Sequence, residues 1–153
     1  MEDRNFGTYK ELAVWQKAVQ LVKMVYALIK QFPPEERFAL ADQVRRAVIS
    51  IPSNIAEGNG RSSNRDYAHF LSIARGSLYE TMTQLEIAES LGYISIPQET
   101  TSCAIEVRKM LGSMIKKYSP ESGQRLKVKG QTEEFNHHCL TSDLGPLTSK
   151  NYL

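Results

Sequence analysis

A chain of 153 residues with 41% apolar and 24% charged side chains is long enough to bury one core without disulfide or metal staples. Its net charge of +2 permits contact with nucleic acid but lacks the strong basic excess of a dedicated binding domain. Cys103 and Cys139 belong to no CxxC or CxxH spacing, MEDRNFGTYKE has no signal-peptide pattern, and no apolar run reaches the roughly 18 residues of a membrane span, so the expectation is a cytoplasmic protein with free thiols and no membrane partner.

The first element is a helix from Tyr9 to Phe32, because Trp15, Ala18, Val19, Val22, Val25, Tyr26 and Ile29 recur at threes and fours. Val14, Leu21 and Leu28 form a second apolar line beside them, giving an arc of roughly 200°. That is wider than the stripe facing a single core. Either the helix is buried among several neighbours or it faces both its own bundle and another subunit.

Pro33 and Pro34 end this helix, and Pro34, Glu35 and Glu36 suit the start of the next. The second helix is expected to turn Phe38, Ala41, Val44, Val48, Ile51 and Ile55 inward and to stop at Gly58. Ser63 and Asp66 form an S-x-x-D capping pair for the third helix. Its expected inward stripe is Tyr67, Phe70, Leu71, Ala74, Leu78, Leu85, Ala88 and Leu91, and Gly92 ends it. Gly76 in its interior points to close packing against another backbone. The fourth helix opens at SIPQ, with Ser95 and Gln98 placed to cap reciprocally. It runs to about Tyr118 with Ala104, Val107, Leu111, Met114, Ile115 and Tyr118 inward. Four helices with short connections predict an all-α, antiparallel up-down four-helix bundle over residues 1–118. The polar, glycine- and proline-bearing segment 119–153 reads as a mostly disordered tail, with one short ordered piece around Leu126 to Phe135.

Chemistry is sparse along this chain. Asp66 and His69 give one acidic-x-x-His spacing where a di-iron bundle needs two pairs plus further carboxylates. His137, His138 and Cys139 lack a second ligand pair. There is no G-x-S-x-G elbow, and Gly58-Asn59-Gly60 starts neither a dinucleotide fingerprint nor a P-loop. The expectation is therefore no enzyme, no cofactor, no metal and no small-molecule substrate. The arginines are the better candidates. Arg45 and Arg46 lie on the second helix, while Arg61 and Arg65 flank the start of the third, whose free N–H groups favour an anion. Such residues contact phosphate oxygens in nucleic acids, although surface arginines more often pair with neighbouring glutamates and stay solvated.

The segments YKELAVWQKAVQLV, FALADQVRRAVISIPSNIAEGNGR, DYAHFLSIARGSLYETMTQLEIA and LGYI resemble, in order, the four-helix-bundle proteins encoded in intervening sequences of bacterial 23S rRNA genes. The resemblance covers about Tyr9 to Tyr118 and leaves the tail out. It implies a cytoplasmic bundle assembling as a homopentameric ring, without enzymatic activity and with a link to RNA. A relative in diversity-generating retroelements is a pentameric accessory factor that binds nucleic acid and reverse transcriptase. The family's motif includes Arg45, Arg46 and Arg61, whereas Arg65 rests on the charge argument alone. With a ring in view, Val14, Leu21 and Leu28 read as part of a subunit interface.

The block SIPSNIAEGNGR, Ser50 to Arg61, places polar residues inside an apolar pattern. Pro52 removes one helical hydrogen bond, and Ser50 and Ser53 are placed to satisfy freed carbonyls. Asn54 and Glu57 are expected to reach across to Ser77 and Glu80 near Gly76, forming a buried structural network. Two facing carboxylates there would need a proton or an intervening arginine. Gly60 and Arg61, leading into the third helix, remain the functional end of the block.

Overall fold

A computed structural model describes residues 8–119. Four α-helices make up the fold: α1 (Ala13–Ile29), α2 (Leu40–Asn59), α3 (Asn64–Ser90) and α4 (Gln98–Tyr118). Short 3₁₀ turns, Thr8–Glu11 and Pro34–Phe38, precede α1 and α2, and no strand occurs among the described residues. Each helix packs on two others, α1 on α2 and α4, and α3 on α2 and α4, with the α2–α3 contact the most extensive. The expected tail, with His137, His138 and Cys139, lies outside the described residues.

The core is aliphatic. Leu21, Ile51, Ile55, Leu71, Leu78, Leu85 and Leu111 are fully buried, and each side chain contributes about 1.5–3 kcal/mol on leaving water. On α1 the buried line is Val14, Ala18, Leu21, Val25, Leu28 and Ile29. This corrects the assignment of Val14, Leu21 and Leu28 to a subunit interface, because all three are buried within the single chain. Trp15, Val22 and Tyr26 occupy the half-buried flank instead. The core face takes Val14, Leu21 and Leu28 together with Ala18, Val25 and Ile29 from the first line, so the buried face is rotated between the two.

Helix ends follow local chemistry. Ser63 caps α3 by accepting the Asp66 N–H at 3.0 Å and donating its hydroxyl to the Asp66 carboxylate at 2.7 Å. Gly92, with φ of +77°, follows the last turn of α3. There the Tyr93 N–H reaches the Ala88 carbonyl and the Gly92 N–H the Glu89 carbonyl, the paired bonds of a Schellman end. The start of α2 lacks a cap from Ala39, and Glu36 replaces it by accepting the Leu40 N–H at 3.2 Å. The expected Ser95/Gln98 cap on α4 does not form. Pro97 is the cap residue, and Glu89 reaches across the loop to accept the Ile96 N–H at 2.7 Å.

Three further expectations change. Phe38 is 85% exposed rather than inward, because it ends the 3₁₀ turn ahead of α2. Leu91 is exposed at the last turn of α3. Helix α2 continues through Gly58 to Asn59, so Gly58 is not its terminator.

Candidate nucleic-acid interface

The four candidate arginines do not form one patch. Arg45 and Arg46 lie near the start of α2, whereas Arg61 and Arg65 lie beyond its end. At 1.5 Å per residue the two groups are about 24 Å apart along the helix axis. Arg45 is held by its guanidinium donating to the Arg37 carbonyl at 3.2 Å, which brings Arg37 and Arg45 beside the exposed Phe38. Arg37 lies 5.3 Å from the Phe38 ring centroid. Arg46 pairs with Asp42 one turn back. At the other end Arg61 pairs with Glu57 and lies 4.6 Å over the Phe70 ring. Arg65 is exposed and has no partner among the described residues. Exposed i,i+4 pairs of this kind are weakly held, so both arginines can exchange their carboxylate for a phosphate at small cost.

Between the two basic ends runs the polar corner. Helix α2 passes through Pro52 without breaking. Around it Ser53 donates to the Ile49 carbonyl at 2.9 Å, and Asn54 donates to the Ser50 carbonyl at 2.7 Å and to the Ser50 hydroxyl at 2.8 Å. The crossing to α3 is made by Ser50, whose Oγ meets Ser77 Oγ at 2.9 Å. Below it Thr81, fully buried, donates to the Ser77 carbonyl at 2.8 Å. The expected network therefore exists in altered form. Asn54 stays on its own helix, Glu57 is exposed with Arg61, and Glu80 accepts from Gln84 at 3.0 Å, so the two carboxylates do not face each other.

Gly58 and Gly76 also exchange roles. A Cβ at Gly76 would meet nothing within 4 Å, whereas one at Gly58 would lie 2.8 Å from Phe70 Cβ and 2.9 Å from Tyr67 Cδ2. The close approach of α2 to α3 is at Gly58, and the ring of Tyr67 fills the space. Beyond that ring, which packs at a tilt with its centroid 4.8 Å from that of Tyr118, a polar cleft of about 300 Å³ opens at the start of α3. Asn59, Arg61, Ser62, Asn64, Tyr67 and Tyr118 line it. Burial raises the Tyr67 hydroxyl above the ordinary tyrosine pKa, partly offset by the Asn59 side chain beside it.

Phe38 and Tyr67 were missed as site residues. For Tyr67 the available signal was its place one turn inside a capped helix that follows G-N-G-R-S-S. For Phe38 it was the Arg-Phe step following two prolines. Of the Asp66/His69 pair, Asp66 takes part in the helix cap, its carboxylate accepting from Ser63, and the His69 ring lies edge-on to Phe70. No cluster of three metal-ligating side chains occurs among the described residues, and no helix there is long and apolar enough to cross a membrane.

The sequence profile of the 23S rRNA-intervening sequence proteins matches residues 10–113, which spans all four helices except the end of α4. Among solved structures the chain is similar to a protein of unknown function from the S23 ribosomal protein family of Bacteroides thetaiotaomicron VPI-5482. The two are 28% identical with a TM-score of 0.60, covering 68% of this chain and 99% of that one. No curated protein matches.

Proposed function

Since this chain belongs to the 23S rRNA-intervening sequence protein family, we propose that it is a non-catalytic, cytoplasmic RNA-binding protein. In this reading it is an antiparallel up-down bundle that assembles as a ring, a homopentamer, and binds structured rRNA or an RNA–protein complex. It would share that mode with the accessory factor of diversity-generating retroelements. The observation that carries the reading is the placement of guanidinium groups at both ends of α2. Arg45 and Arg46 near the start of α2, and Arg61 and Arg65 beyond its end in the turn and first residues of α3, offer two separate phosphate-contact points about 24 Å apart along the α2 axis. Around a ring this pair repeats with each subunit, so modest charge per chain becomes a large positive footprint.

Binding of a structured rRNA fragment measured against salt tests this. Each phosphate contact contributes roughly 0.7–0.9 to the log–log slope. An Arg45→Ala/Arg46→Ala variant should flatten the slope by between about one and two units and weaken binding at low salt. No binding by the wild-type chain at low salt would sink the proposal.

The exposed apolar side chains Ile49, Ile73, Ile87, Leu91 and Ile105 favour a second reading, an assembly scaffold without a nucleic-acid role. Partners retained by the tagged chain after nuclease treatment would favour that class.

A further inference from the structure

The cleft at the start of α3 holds a donor that the arginine reading does not use. Tyr67 is 8% exposed, and its hydroxyl is buried without a hydrogen-bond partner among the described residues. The Asn59 side chain lies beside the ring and offsets part of the effect of burial on the hydroxyl. An unpaired buried hydroxyl is destabilising and is rare in native proteins. Packing leaves this one little choice of position. The Cδ2–Cε2 edge of the ring occupies the space that Gly58 leaves open, and the Tyr118 ring packs on it at a tilt with centroids 4.8 Å apart. A tyrosine hydroxyl carries its proton at neutral pH, and burial raises its pKa further, so the group can only be approached as a neutral donor or acceptor.

Other donors converge on the same cleft. Asn64 and Arg65 open the 27-residue helix α3, and their backbone N–H groups have no partner among the described residues. The positive end of the helix dipole is directed there. Arg61 brings its guanidinium to the rim, held over Phe70. The carboxylates of Glu57 and Asp66 do not line the cleft, and each is engaged, by Arg61 and by Ser63.

We propose that this cleft binds one phosphate group, held by the N–H groups at the start of α3, the Arg61 guanidinium and the Tyr67 hydroxyl. The inference rests on the RNA-binding reading only for the source of that phosphate. A nucleic-acid backbone and a free nucleotide present the same oxyanion chemistry. The site also differs in kind from the Arg45/Arg46 end, where contact is through exposed side chains alone.

The full chain, titrated with inorganic phosphate against chloride at matched ionic strength, should show saturable NMR shifts at the amides of Ser62 to Arg65. Tyr67→Phe deletes only the hydroxyl, and should weaken phosphate binding about tenfold, as expected for a hydrogen bond to a charged group. The melting temperature of that variant should stay level or rise. Asn64→Pro removes one N–H from the first helical position, which proline tolerates, and Ser63 before it already has the extended backbone that proline requires. It too should bind phosphate more weakly with the fold kept. Absent shifts, or shifts equal in the wild type and both variants, overturn the proposal. Two further arms, AMP and a single-stranded RNA oligonucleotide, identify the source by which one displaces phosphate. Phosphate binding without RNA binding keeps the site and removes the RNA reading. RNA binding unchanged in both variants, with phosphate and AMP binding weakened, keeps the site and assigns it to a free nucleotide rather than to the RNA backbone.

Discussion

A methyl group added at Gly58 would lie 2.8 Å from Phe70 Cβ, an atom fixed to the backbone of α3 that no rotamer change can move. Overpacking of this kind costs about 1–3 kcal/mol, against roughly 1 kcal/mol regained in helix propensity. Gly58→Ala should therefore lower stability by up to about 2 kcal/mol in denaturant titration. Gly76→Ala should do the reverse. It adds a methyl into open space on the solvent side of α3, and stability should rise by up to about 1 kcal/mol. A fall in melting temperature together with a smaller assembly would instead place Gly76 at a contact between subunits. The two glycines look alike as letters in helical stretches. What separates them is which face each occupies once α2 and α3 are docked, a fact of tertiary packing.

At the scale of elements, α2 and α3 are joined by hydroxyls as well as by apolar surface. Ser50 and Ser77 meet at 2.9 Å across the contact, and Asn54 supports Ser50 from one turn ahead. Ser50→Ala leaves the buried Ser77 hydroxyl without its partner across the contact and should cost about 1 kcal/mol, whereas Ser77→Ala leaves Ser50 still bonded by Asn54 and should cost less. The double variant should cost less than their sum, with a coupling of at least roughly 0.5 kcal/mol. Additive losses would mean that each serine bonds only within its own helix. The helices themselves were legible, since 3.6-residue periodicity, the Ser63–Asp66 cap and Gly92 are local signals. The polar corner was half legible. Proline and asparagine inside a helix announce side-chain bonds to freed carbonyls, but the partner across the gap depends on register, and register made it Ser50 rather than Asn54 or Glu57. Phe38 misled because an aromatic in step with Ala41 and Val44 reads as core, whereas the turn before α2 sends it outward. On α1 an arc of about 200° fits two rotations of the helix about its axis equally well. Only its neighbours choose between them.

For the molecule as a whole, the correction on α1 moves the question of assembly to another surface. With Val14, Leu21 and Leu28 inside the chain, a ring must be closed by residues that remain outside. Ile73, Ile87 and Leu91 are exposed on α3, and at 100° per residue they fall within roughly 40° of one another along one face. This stripe runs down the longest helix, away from the faces that α3 buries against α2 and α4. If α3 supplies the subunit contact, Ile73→Glu/Ile87→Glu places two like charges in each copy of it. Desolvating an unpaired carboxylate at an interface is costly, so mass by light scattering should fall from an oligomer towards the single chain. Far-ultraviolet circular dichroism should stay unchanged, because neither side chain belongs to the core. Leu21→Glu is the informative contrast. It should unfold the chain rather than merely dissociate it, since Leu21 is fully buried among its own helices. An oligomer of undiminished mass in the α3 variant would rule out this stripe as the contact. Loss of RNA binding together with mass would further mean that the two ends of α2 engage RNA only when repeated around a ring, the avidity expected of so modest a charge per chain.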